Sequence, residues 1–386
     1  MLADTLRRPG TVLLDGPRPD ADSGRQGARL FARPHRTLEA WTAAEVGPLL
    51  EDLDRVLAAG QCVAGALSYE AGYALEPGAF APPVAAAGAP LAWFGVYDAF
   101  RDVSDAELAS ALPDPEYVLD PPRLEVSRDA YHRVIARIKD YIRAGDVYQI
   151  NWTTPFRFAC RDPLALYAGL RRRQRVAYGA YLHLDGLAVA SVSPELFFRL
   201  DGDTLTARPM KGTAPRGADD AADDVLADAL VASPKDRAEN LMIVDLLRND
   251  LGRVAMPGSV HVPALFQAER YATVTQMTST VTATRRPDAG LSDVLRALFP
   301  CGSVTGAPKL RAMRRIRELE AGPRGIYCGA IGWAGPEGAA FSVPIRTAVV
   351  QNGEGRYDVG SGVVWDSDPD AEYDECLLKA RILTDP

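Results

Sequence analysis

Lys211 stands in the run Pro209-Met210-Lys211-Gly212-Thr213-Ala214-Pro215-Arg216-Gly217, one amine among glycines, prolines and an arginine. The run follows a predicted strand, Asp203 to Ala207, and its composition predicts a tight turn with exposed backbone. Glycine lets a main chain come close to a bound molecule, and a guanidinium such as Arg216 beside an amine lowers its proton affinity and frees its lone pair. Taken alone, the same run also reads as a solvated surface turn. Three other segments are as dense in functional side chains: Ser193-Pro194-Glu195, Gly302-Ser303-Val304-Thr305-Gly306-Ala307-Pro308-Lys309, and the tail from Gly360-Ser361-Gly362 through Asp366 to Lys379.

Glu372 and Glu375 lie three apart on a predicted helix and share a face, while Glu239 sits on another helix within Asp236 to Asp245. Carboxylates from two helices, with no histidine or cysteine beside them, suit a hard cation that keeps several waters, for which Mg²⁺ is the natural candidate. Acids at a helix start also simply complement the helix dipole. Gly302 to Lys309 does not satisfy the phosphate-loop pattern, because its lysine comes three residues after Gly306 and precedes Leu310. Thr305 and the amides before Pro308 can still receive an anion at a helix N-terminus. Gly360-Ser361-Gly362 fails the dinucleotide fingerprint, since Trp365 occupies the third glycine position. Arg346 can clamp a carboxylate with its two-pronged donor set or serve in a structural ion pair. Glu195 by itself reads as a strand-edge acid.

The elements that must position these groups follow from periodicity and punctuation. Residues 1–124 alternate short β-like runs (Thr11 to Leu14, Ala28 to Phe31, Cys62 to Tyr69, Leu91 to Ala99) with an amphipathic helix near Ala44 to Ala58. Pro77 to Pro90 reads as a loop, and Leu112 to Pro122 as a connector into the main part, residues 125–386. Ser127 predicts the cap of a helix with Tyr131, Val134, Ile135, Ile138 and Ile142 on one face and Gly145 at its end. Tyr148-Gln149-Ile150-Asn151 opens a strand. Antiparallel strands run from Ala177 to Ala207 through Asp-Gly turns, and Ser233-Pro234 starts a helix from Lys235 to Asn249. Further strands near Val260 to Val281, Ile326 to Trp333, Ala340 to Val350 and Arg356 to Val364 alternate with helices near Leu291 to Leu298, from Pro308 and from Asp370. Strand runs broken by helices without a βαβ period predict an α+β fold.

A chain of 386 residues with 47% hydrophobic content can bury a sizeable core, and a net charge of −8 argues against a nucleic-acid surface while leaving room for a basic pocket. Cysteines 62, 160, 301, 328 and 376 are scattered and odd in number, which predicts reduced packing thiols in a cytoplasmic protein. His35, His132, His183 and His261 form no metal-binding spacing, and no apolar run reaches the ~18 residues of a membrane span.

In their order and residue types, the four motif segments resemble those of the chorismate-utilising enzymes, the family of anthranilate synthase, isochorismate synthase and aminodeoxychorismate synthase component I. The resemblance covers about residues 125–386. It implies two antiparallel β-sheets packed as a core with helices outside, residues 1–124 packed on that core, and an active site in a cleft between the sheets. It implies that Glu239 and Glu375, with Glu372 nearby, hold Mg²⁺ against a substrate carboxylate. The backbone at Gly360 and Gly362, together with Thr305, Tyr327, Arg346 and Lys379, is implied to hold substrate, and Glu195 to act as general acid/base on a departing hydroxyl.

Two positions discriminate within the family. Members that add water carry a lysine base where this chain has Gln149. Anthranilate synthases usually carry alanine where Lys211 stands, whereas a lysine in P-[IM]-K-G-T resembles aminodeoxychorismate synthase component I, in which it attacks the ring and holds a covalent adduct until ammonia replaces it. The expected activity is therefore conversion of chorismate and ammonia to 4-amino-4-deoxychorismate, a precursor of p-aminobenzoate and folate, with anthranilate synthase component I as the alternative. No G-x-C-x-G elbow surrounds any cysteine, so ammonia is expected from a separate glutamine amidotransferase subunit or from solution. Gln276 replaces a histidine found in many relatives, and Leu13-Leu14-Asp15 is only faintly similar to a tryptophan-binding segment, so no regulatory site is read from it.

Overall fold

Alternation and turn chemistry build the strands. Asp185-Gly186 closes a hairpin between Tyr178–Leu184 and Leu187–Ser193, with Gly186 at φ 72°, and Gly202 at φ 56° closes another between Leu196–Asp201 and Thr204–Arg208. In the computed structural model, which describes residues 2–16, 27–83, 85–86, 88–115, 122–271 and 274–384, the described strands form two antiparallel sheets. Residues 116–121 of the expected connector, and 84 and 87 of the expected loop, lie outside the described residues.

The first sheet runs in the order Gly306–Ala307, Gln149–Ala159, Glu354–Val363, Thr347–Gln351, Leu187–Ser193, Tyr178–Leu184, Thr11–Asp15, Ala28–Phe31, Arg101–Val103. The second runs Met210–Pro215, Val274–Thr284, Thr204–Arg208, Leu196–Asp201, Gly338–Ser342, Ala330–Gly335, Cys62–Leu67, Ala92–Tyr97, Arg36–Ala40, with His261–Arg270 also on Val274–Thr284. Residues before 124 thus hydrogen-bond into both sheets: Thr11–Asp15 pairs with Tyr178–Leu184, and Cys62–Leu67 with Ala330–Gly335. Apolar residues from the two sheets share one core. Val12, Leu182 and Val189 of the first cluster with Ala66, Trp93 and Ile331 of the second. Five cysteines are free and buried.

Helices lie against these sheets. Ser127 accepts from the Ala130 amide to start Arg128–Arg143, which buries Tyr131, Ile135, Ile138 and Tyr141. Ser233 caps Pro234–Gly252, which lies on Val274–Thr284 and Met210–Pro215. Pro369–Thr384 lies on Glu354–Val363. A helix unforeseen in the sequence, Pro163–Arg173, starts at Asp162, whose carboxylate accepts from the Leu164 and Ala165 amides. No described helix is long and apolar enough to cross a membrane.

The lysine run differs from the expected tight turn. Met210–Pro215 is an edge strand paired with Val274–Thr284, and its register breaks between Met210 and Thr213 around Gly212 at φ 86°. Pro209 and Pro215 are compatible with a strand here because an edge strand needs donors on one side only.

Candidate active site

Ser193-Pro194-Glu195 is where the chain leaves the first sheet and enters the second, from Leu187–Ser193 to Leu196–Asp201. The crossing is tied down on both sides: Ser193 Oγ donates to Val343 O at 2.5 Å, and Val343 N donates to Glu195 O at 3.1 Å. Glu195 is therefore held between the sheets, 4% exposed, and not at a surface edge. Its Oε1 accepts a 2.5 Å hydrogen bond from Ser303 Oγ. Burial pushes its carboxyl up to about 6, while the Ser303 hydrogen bond and the charge of Lys211 pull it back.

The bulge at Gly212 turns Lys211 toward the same point. Lys211 Nζ donates to Ser303 O at 3.3 Å, and a Cβ placed on Gly362 would lie 3.3 Å from that nitrogen. Arg216 does not take part, contrary to expectation. Its guanidinium forks onto Asp223 at 2.8 and 2.9 Å and donates to Tyr271 O, because the carboxylate seven residues on captures it. The groups around the lysine are instead Glu195 and Glu239, whose carboxyls both feel its charge.

Gln149–Ala159 and Glu354–Val363 pair in register, with Gly360 opposite Thr153 and Gly362 opposite Asn151. Gly362 leaves room for the Gln149 amide, whose nitrogen would lie 2.2 Å from a Cβ there. Gln149 is fully buried, yet neither its oxygen nor its nitrogen has a hydrogen-bond partner. Such a group is held at a cost of order 1–3 kcal/mol unless a ligand completes it.

Arg346 adopts φ 51°, a conformation rare for an arginine, and no ion pair to it is seen among the described residues. Burial lowers its proton affinity, partly opposed by Tyr357 and Tyr271. A half-buried guanidinium without an ion-pair partner suits a carboxylate in charge and geometry. Tyr327 is buried, which pushes its hydroxyl well above the ordinary range. Thr305 is also buried, but its hydroxyl donates to Cys301 O at 2.8 Å and accepts from Tyr69 OH at 3.3 Å, so its side chain braces the turn in this conformation. Lys379 Nζ reaches Gly360 O and Glu375 Oε1, each at 2.7 Å.

Glu239 on Pro234–Gly252 and Glu372 on Pro369–Thr384 come near enough for the charge of Glu372 to act on Glu239. Burial first, and then the charges of Asp236 and Glu372, raise the Glu239 pKa, against the pull of Lys211 and Lys235. Glu375, one turn beyond Glu372, is half exposed. Carboxylates from two helices, of which Glu375 is paired with Lys379 and Glu239 is acted on by Lys211 and Lys235, suit a divalent cation by their oxygen donors. No group of three or more histidine, cysteine or acidic side chains surrounds a single point among the described residues, so the other ligands would be water or substrate oxygens. The sequence reading passed over Ser303 and Tyr69. Ser303 lay in view inside Gly302 to Lys309, but Tyr69 carried no local signal. A separate cleft of about 350 Å³, lined by Leu14, Asp15, Arg29, Tyr178, Arg199 and Trp333, contains none of these residues.

The sequence profile of chorismate binding enzymes matches residues 13–385. The chain belongs to that family. The profile reaches well beyond the motif-bearing part, in keeping with the N-terminal strands that complete both sheets. Among curated relatives, this chorismate binding enzyme is 45% identical over 285 residues to "Aminodeoxychorismate synthase" of Streptomyces pristinaespiralis, covering 71% of the chain and 40% of that protein. It is 45% identical over 264 residues to "Aminodeoxychorismate synthase component 1" of Klebsiella aerogenes, covering 68% of the chain and 58% of that protein. The match thus spans about half the length of these relatives. Among solved structures, anthranilate synthase component I from Streptococcus pneumoniae is 25% identical with a TM-score of 0.75, covering 97% of this chain and 90% of that one.

Proposed function

We propose that the chain is an aminodeoxychorismate synthase component I, converting chorismate and ammonia to 4-amino-4-deoxychorismate on the way to p-aminobenzoate and folate. The observation that carries this reading is the position of Lys211: its amine and the carboxyl of Glu195 converge on one residue, Ser303, beside the unpartnered amide of Gln149. In this reading Lys211 Nζ forms a bond to a ring carbon as the hydroxyl leaves, and Glu195 supplies the proton that makes the leaving group water. Ammonia then forms the new C–N bond as the bond to Lys211 breaks, and the proton it gives up returns to the Glu195 carboxylate. Arg346 receives a substrate carboxylate, with Tyr327 and the backbone at Gly360 and Gly362 around the ring.

Glu239 and Glu375, with Glu372, would hold Mg²⁺, which when bound anchors a carboxylate of the substrate. Within this sequence no cysteine stands in a G-x-C-x-G elbow, which supports a supply of ammonia from a glutamine amidotransferase subunit or from solution. Buried, unpaired thiols fit a cytoplasmic location.

Intact-protein mass spectrometry with chorismate and Mg²⁺, without ammonia, tests the covalent step. Wild type gains an adduct and Lys211→Ala gains none. If wild type stays unmodified while it still turns over chorismate with ammonium, Lys211 acts through its charge alone.

A further inference from the structure

Glu195 and Lys211 come from different strands, yet each hydrogen-bonds to Ser303, which lies in the one-turn helix Gly302–Val304. The hydroxyl of Ser303 donates to Glu195 Oε1 at 2.5 Å, and its carbonyl accepts from Lys211 Nζ at 3.3 Å. Among the described residues no other hydrogen-bonds to both side chains. Cys301 Sγ, 3.2 Å from the same hydroxyl, completes the surroundings.

We propose that Ser303 is a positioning residue that sets the acid against the nucleophile, its side chain orienting the carboxyl and its main chain the amine. This rests on the reading of Glu195 as the proton donor and of Lys211 as the attacking amine. One consequence concerns the two carboxyl oxygens. Ser303 occupies Oε1, and no hydrogen bond to Oε2 is seen among the described residues. The proton therefore sits on Oε2, aimed away from Ser303 and available to the departing hydroxyl. A second consequence concerns the lysine. A carbonyl can hold an N–H of the amine but not its lone pair, so Ser303 O orients the nitrogen without blocking attack.

The ionisable groups facing Glu195 are few. Lys211 comes from Met210–Pro215, and Cys301 from the segment before the one-turn helix, its thiol pushed up to about 12 by burial and the Glu195 charge. Lys309, whose charge reaches Cys301, is paired with Asp250 at 2.5 Å. Cys301 keeps its proton through the working range, and the Ser303 hydroxyl is the strongest hydrogen bond the carboxylate has.

The test is the pH dependence of kcat in wild type, Ser303→Ala, Ser303→Thr and Glu195→Gln. Loss of the hydroxyl removes a donor that favours the charged form, so the falling limb set by the acid moves to higher pH in Ser303→Ala, by about one unit, and the plateau drops about tenfold. Ser303→Thr keeps the hydroxyl and restores both. Adduct formation on Lys211 slows in parallel with kcat, whereas KM changes by less than about twofold. An unmoved limb in Ser303→Ala, where Glu195→Gln has abolished it, overturns the proposal, and so does a Thr variant that behaves like the Ala variant. If the limb persists in Glu195→Gln, the assignment of the acid itself is wrong and the positioning role falls with it. Should Ser303→Ala not fold, the Thr variant together with Ser303→Cys, a weaker donor, gives the same ordering: limb unmoved in Thr and raised in Cys.

Discussion

Gly360 and Gly362 stand two residues apart on one strand, and both are implied to approach substrate, yet their surroundings predict opposite failures. A Cβ at Gly360 would lie 2.4 Å from the carbonyl oxygen of Trp152, about 1.0 Å inside the 3.4 Å at which ordinary contact begins. That oxygen belongs to the paired strand, so relief requires the strands at Gly360 and Thr153 to part. A Cβ at Gly362 would lie 2.2 Å from Gln149 Nε2, a deeper overlap, but with the end of a side chain that can swing. Gly360→Ala should therefore lose ~2–3 kcal/mol of stability, the upper range for overpacking, and Gly362→Ala less than about 1 kcal/mol. Activity should reverse the order. Gly362→Ala pushes Gln149 by about 1 Å next to Lys211, and displacements of that size cost ~10²-fold in rate. Chemical denaturation and steady-state kinetics on the two variants give both numbers, with Gly362→Ala/Gln149→Ala as a further check that the stability effects couple. Equal stability losses in the two variants, or a Gly362→Ala enzyme with wild-type kcat, would show that the two glycines do not differ in this way.

Glu195→Gln should be more stable than wild type at pH 8 by about 2 kcal/mol, an advantage that disappears near pH 4. The folded carboxyl is raised from 4.5 to about 6, so the native state binds the proton more tightly, and stability is lost as pH rises between those values. Equal melting temperatures at pH 8 would show that the carboxylate is not buried without compensation. Arg346→Met should raise the KM for chorismate ~10–100-fold, the value of one or two charge-assisted hydrogen bonds, without loss of stability, since the guanidinium has no ion-pair partner to abandon; an unchanged KM removes it from the substrate site. Glu239→Gln and Glu375→Gln should each keep the wild-type circular dichroism spectrum and raise the Mg²⁺ concentration for half-maximal rate more than tenfold, as measured by titration in a chelator-buffered assay.

The elements were legible where local chemistry decides them. Asp185-Gly186, Asp201-Gly202 and the Ser127 and Ser233 caps act over four residues or fewer, and the apolar face of Arg128–Arg143 repeats with the helix period. Partnership between strands was not legible. Nothing in Thr11–Asp15 or Cys62–Leu67 distinguishes the sheet each enters, because both are short, largely buried runs without alternation. The lysine run misled as a turn because glycine and proline mark turns and edge strands equally, and only the neighbour Val274–Thr284 separates the two. Arg216 looked like the cation beside Lys211 because it is near in sequence, but Asp223 lies in better reach. Ser303 acts on a carboxylate 108 residues away, so its part in the site exists only once the sheets have brought the two together.

In the proposed reaction, Lys211 and its neighbours replace a hydroxyl of chorismate by an amino group and stop there. The most direct measurement is identification by mass spectrometry of the product formed from chorismate, Mg²⁺ and ammonium, with a coupled assay for pyruvate in the same tube. The proposed function predicts 4-amino-4-deoxychorismate, no pyruvate, and no product from Lys211→Ala. Anthranilate with one pyruvate per chorismate consumed would contradict it.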